Sequence, residues 1–159
     1  MERKMDYKEV IAKCIKEEKL LQFRSFSYDI ANELGMFMYA RAKERKYPVA
    51  IDIQWNGQQV FHAALEGSAP NNDHWIEKKQ KTVKHFLMSS FRMKNIMLDE
   101  GRPFEARFHM SEEFYACCGG GFPLTVKGAG IVGVIAVSGL ADYEDHDFIV
   151  ECLKEYLKK

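Results

Sequence analysis

The stretch GAGIVGVIAVSGL, residues 128–140, carries Gly128, Gly130 and Gly133 at the spacing G-x-G-x-x-G. That spacing marks a dinucleotide-binding turn when a strand precedes it and a helix opens at the third glycine, aiming its first amides at a pyrophosphate. Here Gly133 is followed by Val-Ile-Ala-Val, a β-branched run that continues as a strand. Only residues 134–159 remain after it, too few for further βαβ units. The preceding FPLTV, residues 122–126, reads as a strand joined to this one by a tight turn at Lys127-Gly128. The glycines are therefore expected to shape a hairpin, with Gly128 and Gly130 in its turn. Gly133 is expected to relieve crowding where a helix crosses the sheet. The nucleotide signature fails on its context.

A second hairpin is written in VAIDIQWNGQQVFHAAL, residues 49–65. Val49, Ile51, Ile53 and Trp55 alternate with Ala50, Asp52 and Gln54, and Asn56-Gly57 is the preferred type I′ turn. A two-residue loop sets Trp55 opposite Gln58, Ile53 opposite Val60 and Ile51 opposite His62. That register predicts His62 among aliphatic neighbours on one face of the sheet.

Helical periods flank both hairpins. Asp6 is expected to cap a first helix with the apolar stripe Val10, Ile11, Cys14 and Ile15, and Ser27 a second with Ile30, Leu34, Phe37 and Met38. Pro48 bars further helix there. After the loop EGSAPNND, a helix of about 18 residues is predicted from Asp73, with Ile76, Val83, Phe86, Leu87 and Ser90 along one side. Residues 92–113 give no clear period beyond a turn at Ser111-Glu112-Glu113. A last helix is predicted with Asp142 as its cap and Phe148, Ile149, Cys152, Leu153, Tyr156 and Leu157 as its stripe. Lys154, Lys158 and Lys159 sit at its C-terminal end. The order α-α-β-β-α-β-β-α, with hairpins separated by helices, predicts an α+β fold in which helices pack against an antiparallel sheet.

The 159 residues suit a single domain, 1–159. Lys plus Arg and Asp plus Glu both number 23, so no global field directs the chain to nucleic acid or to an acidic membrane. No apolar run is long enough to span a bilayer, and the start, MERKMDYKEVIAKCIKEE, carries charges throughout. Cys14, Cys117, Cys118 and Cys152 form no C-x-x-C pair, which fits free thiols in a reducing cytoplasm.

Three segments, VFHAALEGSAPNNDHWIEKKQKTVKHFLMSSF, GGGFPLTVKGAGIVGVIAVSGL and EDHDFIVECL, occur in that order between Val49 and Leu157. Together they resemble the small uncharacterised bacterial and fungal proteins related to the HbpS/GlcG haem-degrading domain group. The resemblance implies a profilin-like α+β fold, assembly into a homo-oligomer (a dimer or a larger ring) and haem as a candidate cofactor. By position it singles out Phe61-His62, then Asn72, Trp75, Ile76 and Lys79, the pair Ser89-Ser90, and Ser138-Gly139-Leu140 with Asp145-His146. It also exposes a departure, because Cys118-Gly119-Gly120 stands where the family pattern has His-Gly-Gly. A thiol titrates differently from an imidazole as ligand or base.

The residues themselves leave several roles open. None of the five histidines forms H-E-x-x-H or H-x-H, so no metal motif is legible. His62 is either a satisfied core histidine or a ligand, and His146, near the start of the last helix, is either structural or functional. Trp75 with Lys78 and Lys79 suits a planar anionic molecule by stacking and charge, or an oligomer contact. Ser89 and Ser90 lack a readable His/Asp partner for a hydrolase triad. Gly119-Gly120-Gly121 either lets a planar ligand approach the backbone or forms a bend into an edge strand. The ligand candidates are thus His62, Trp75, Lys79, Ser89, Ser90, Cys118, Gly119 and His146.

Overall fold

A computed structural model describes residues 6–158; what was expected of residues 1–5 and of Lys159 lies outside them. The change of sequence period near Pro48 marks the first boundary of the fold. Before it run two helices, α1 (Tyr7–Leu20) and α2 (Tyr28–Glu44). The Asp6 carboxylate accepts from Lys8 N at 3.0 Å and the Ser27 hydroxyl from Ile30 N at 3.1 Å, the two caps the sequence predicts. After it come β1 (Ala50–Trp55), β2 (Gln58–Ala64), α3 (Pro70–Phe86), α4 (Ser90–Glu100), α5 (Phe104–Phe108), β3 (Gly121–Val126), β4 (Gly130–Ser138) and α6 (Asp142–Tyr156). The strands form one antiparallel sheet in the order β2-β1-β4-β3.

Alternation along the strands divides the chemistry of the two faces. Ile51, Ile53, Ile135 and Val137 point into the main core, against Leu34 and Met38 of α2 and Phe148, Ile149 and Leu153 of α6. Ala50, Asp52 and Gln54 occupy the other face, which α3 covers with Ile76 and Gln80. The outer edge of β3 is partly closed by the chain after α1, where Phe23 N donates to Thr125 O and Lys127 N to Phe23 O, both at 2.8 Å.

Five expectations need correction. The turn is as predicted, with Asn56 and Gly57 at positive φ and Trp55 opposite Gln58, but a bulge at Ile53/Gln54 adds a residue to β2. Ile53 therefore faces Phe61, and Asp52, not Ile51, faces His62. One extra residue turns His62 away from aliphatic company onto the polar face beneath α3. The helix expected from Asp73 to Ser90 ends at Phe86, because Leu87 takes a left-handed conformation (φ 58°), and the Ser89 hydroxyl caps α4, which runs into the stretch 92–113 that shows no clear period. The true beginning of α3 is Pro70, which needs no N–H at the first helical position. The cap of α6 is Ala141, with Asp142 already its first residue.

The segment between α4 and β3, unreadable by period, is held by aromatic packing. Phe86 lies 5.8 Å from Phe104 and 4.7 Å from Phe108, and Phe104 lies 5.9 Å from Tyr115, centroid to centroid. Finally, the crowding at Gly133 comes from the neighbouring strand and not from a helix. A Cβ there would lie 1.9 Å from Gln54 O and 3.1 Å from the Trp55 Cα, while the turn residue Gly128 (φ +83°) has open space. Gly128→Ala is thus expected to cost about 1 kcal/mol for its backbone conformation alone. Gly133→Ala is expected to cost on the order of 3 kcal/mol, because the β1 backbone cannot step aside. Urea unfolding of both variants checks this, and equal losses would contradict it.

Candidate functional site

The residues that gather at one corner of the sheet do so because of a buried ion pair. Lys79, on the sheet-facing side of α3, and Asp145, in the first turn of α6, are both almost fully buried, and Nζ lies 3.2 Å from Oδ2. Nζ also donates to Val137 O on β4 at 2.9 Å. The carboxylate accepts from Leu140 N at 3.0 Å and Gly139 N at 3.4 Å. Those amides precede α6, whose cap residue Ala141 has no acceptor of its own, so Asp145 reaches back to satisfy them. Two buried charges are tolerable only with this density of partners. The pair leaves no room for a side chain at Gly120 (φ +121°), where a Cβ would meet Val137 O at 2.3 Å and Lys79 Nζ at 2.6 Å.

Above this floor opens a cleft of about 550 Å³ between α3, the loop before β3 and the start of α6. Asn71, Asn72, Trp75 and Lys78 line one wall, Tyr115, Cys117 and Cys118 another, and Ser138, Leu140 and Asp142 close the end. The wall on α3 is fixed at its base by Asn72, whose Oδ1 accepts from Ala69 N at 2.8 Å and whose amide donates to Ser138 Oγ at 3.3 Å. Trp75 is 38% exposed, and the Lys78 ammonium lies 4.3 Å from its ring centroid. Asp142 is bonded to Lys94. Both cysteines are protonated thiols at neutral pH. Burial, with Glu112 nearby, pushes Cys117 up to about 12, and burial raises Cys118 despite the opposing charge of Lys79.

Of the ligand candidates, the cleft brings together Trp75, Lys79 and Cys118, and of the other residues the resemblance singles out it gathers Asn72, Ser138, Gly139, Leu140 and Asp145. Gly119 lies beside it, but its Cα hydrogen faces Asp142 O, which a Cβ would meet at 2.1 Å. The glycine run is a bend packed into the protein at the entry to an edge strand. Ser89 and Ser90 are fully buried elsewhere; Ser89 caps α4 and donates to Glu18, and the Ser90 hydroxyl accepts from Gly121 N at 2.9 Å. His146 lies under α4, stacked on Phe91 at 4.8 Å and bonded to Glu17. His62 sits in a separate polar groove with Nε2 2.8 Å from Asp73, near Asp52, which is held by Gln59 and Gln80.

Sequence reasoning missed the lining residues Asn71 and Tyr115 and the pairing of Lys79. The sequence offers Lys79 as a cation facing a ligand or an oligomer contact, whereas it is spent on Asp145. A signal for the pair was present, since ADYEDH opens a helix on an alanine that cannot cap and supplies an acid soon after.

Residues 26–154 match the family described as haem degrading protein HbpS-like. The chain is 43% identical over 147 residues to a UPF0303 protein of Streptomyces coelicolor, covering 92% of this chain and 93% of that one. Its fold is similar to that in the crystal structure of Ybr137w protein, with a TM-score of 0.87 at 32% identity over 98% of this chain and 90% of the other. The crystal structure of a PduOC:heme complex shares the fold, with a TM-score of 0.69 at 17% identity over 82% and 94% of the two chains.

The ion pair has a measurable proton linkage. Burial pushes the Asp145 carboxyl up to about 6 from 3.8, against the pull of Lys79 and two backbone amides. The native state therefore holds this proton more tightly than the unfolded chain does. The resulting stabilisation is complete below about pH 4 and is lost as the pH rises through about 6. In urea unfolding, wild type is expected to lose stability relative to Asp145→Asn between pH 4 and 7. A flat or rising difference would contradict it.

Proposed function

From membership of the HbpS-like family, to which this chain belongs, we propose that the protein binds a flat small molecule bearing a carboxylate in the cleft beside Trp75. The observation that carries this reading is the half-exposed indole at the mouth, with the Lys78 ammonium resting on its face. A planar ring stacks on the indole, and Lys78 then turns from the ring to the ligand's carboxylate. Asn71, Asn72 and Tyr115 add neutral polar contacts that orient the ligand's edge.

Haem is the first candidate, because the family is described by it and the PduOC neighbour is a haem complex. The residues present fit it in part. The ring and one propionate find partners in Trp75 and Lys78. The iron finds no imidazole, since none of His62, His74, His85, His109 and His146 lines the cleft. The sulfur donors there, Cys117 and Cys118, are raised by burial and would have to give up a proton to bind it. Recognition in this proposal therefore rests on the ring and the carboxylate, and no step is assigned to the metal. Titration with haemin should give a saturable Soret change without the spectrum of a bis-histidine complex. Trp75→Ala should weaken binding about tenfold, equivalent to about 1.4 kcal/mol. No saturable change with folded protein, or full affinity in Trp75→Ala, would overturn the proposal.

A second part of the reading is assembly. Phe114 and Tyr143, which adjoin the lining residues Tyr115 and Asp142, are 49% and 54% exposed, so aromatic surface continues outward from the cleft. We propose that a second copy covers this surface in a homo-oligomer and that the ligand site lies at or near the contact. The zero net charge offers little resistance to self-association. Light scattering on the purified chain should report a dimer or larger ring, and a stable monomer at micromolar concentration would contradict this. The free state of all four cysteines supports a reducing compartment such as the cytoplasm. No helix among the described residues is long and apolar enough to cross a membrane.

A further inference from the structure

Away from the cleft, α1 and α6 bring three side chains of metal-ligating type into one dry space. Cys14 and Glu17 stand one turn apart on α1, so both project from the same face of that helix. His146 of α6 meets them, with its Nε2 2.9 Å from Glu17 Oε1. All three residues are buried, and one donor atom from each lies within 4.8 Å of the others. The cluster is shared by neither the cleft nor the main core.

Ordinary packing does not account for it well. A buried carboxylate and a buried imidazole are costly unless every polar atom is satisfied. Here His146 Nδ1 is buried without a hydrogen-bond partner among the described residues, so the ring is held by one polar contact and by stacking on Phe91. Cys14 has no disulfide partner and lies next to two acids. Burial and the charges of Glu17 and Glu18 push its thiol up to about 12. The other nearby acid, Glu18, is already neutralised by Arg92 at 3.2 Å and bonded by Ser89, so it adds no free charge.

We propose that Cys14, Glu17 and His146 form a buried site for one transition-metal ion of the zinc class. A divalent ion, one thiolate, one carboxylate and one neutral imidazole together carry no net charge, which is the condition a dry site demands. Zinc bonds of about 2.0–2.3 Å place tetrahedral donors roughly 3.3–3.8 Å apart. The cluster reaches that spacing by opening the Glu17–His146 contact from 2.9 Å, with Cys14 already within 4.8 Å of both. Glu17 can fill a fourth position by binding through both oxygens. As the ion enters, the Cys14 thiol proton leaves to solvent and His146 ligates through a ring nitrogen that carries no proton. The mechanical consequence is also specific. The N-terminal helix α1 packs chiefly on α4, and the ion would fasten it directly to α6.

The test uses the full chain, purified under reductant and stripped with chelator, then titrated with Co²⁺. The expected result is one equivalent bound, with a near-ultraviolet thiolate-to-cobalt band, proton release, and loss of the band when Zn²⁺ is added. Cys14→Ser should abolish the band, while the Cys117→Ser/Cys118→Ser double variant should keep it. Glu17→Gln should keep the band but weaken binding at least tenfold, which holds the proposal open to refutation if Cys14→Ser fails to fold. Zn²⁺ should raise the thermal midpoint of wild type and leave that of a folded Cys14→Ser unchanged. Absence of the band, its survival in Cys14→Ser, its loss in the Cys117/Cys118 variant, or unchanged affinity in Glu17→Gln would overturn the assignment.

Discussion

The corner of this fold depends on one interaction, the buried pairing of Lys79 with Asp145. Each charge alone would be untenable in that environment, so each fixes where the other's backbone must run. Lys79 pins α3 to β4 through Val137 O, and Asp145 folds the 138–140 turn onto the start of α6. The same pair dictates a side-chain-free backbone at Gly120, at the entry to β3. Four elements are thereby brought to one point, and the cleft is the space left above it. A ligand site built this way has a rigid floor and adjustable walls. Lys78 and Trp75 supply the adjustment.

Much of this architecture is legible in the chain because local signals and global packing agree. Asn56-Gly57 specifies its hairpin, Asp6 and Ser27 cap their helices, and the run after Gly133 continues as the strand its β-branched residues predict. What is not legible depends on contacts distant in sequence. The bulge at Ile53/Gln54 leaves no compositional mark, yet it moves His62 from an apolar setting to a polar one. The left-handed Leu87 lacks the glycine or asparagine that usually announces a helix end, so the expected helix overruns its true end at Phe86, and α4 lies mostly in the stretch that shows no period. Residues 101–116 follow aromatic packing and carry no period.

The site divides along the same line. Trp75 and Cys118 can be picked out by residue type, and both line the cleft. Their roles cannot be picked out. Lys79 is a pairing cation and its neighbour Lys78 the one at the indole, a distinction that only the position of Asp145 decides. In this chain Ser89, Ser90 and Gly119 solve packing problems: a cap, a strand-end hydrogen bond and a close backbone approach. His146 belongs to neither group, since it joins a thiol and a carboxylate from a helix well over a hundred residues away in the chain.

These assignments separate a structural floor, an adjustable wall and a remote cluster that earlier elements of the chain complete. The measurement that tests this division most directly is a crystal structure of the protein grown with haemin. Planar density against Trp75, a carboxylate near Lys78 and an unbroken Lys79–Asp145 pair beneath are the expected result. Density beside His62, or a ligand held by Lys79 after release from Asp145, would contradict it.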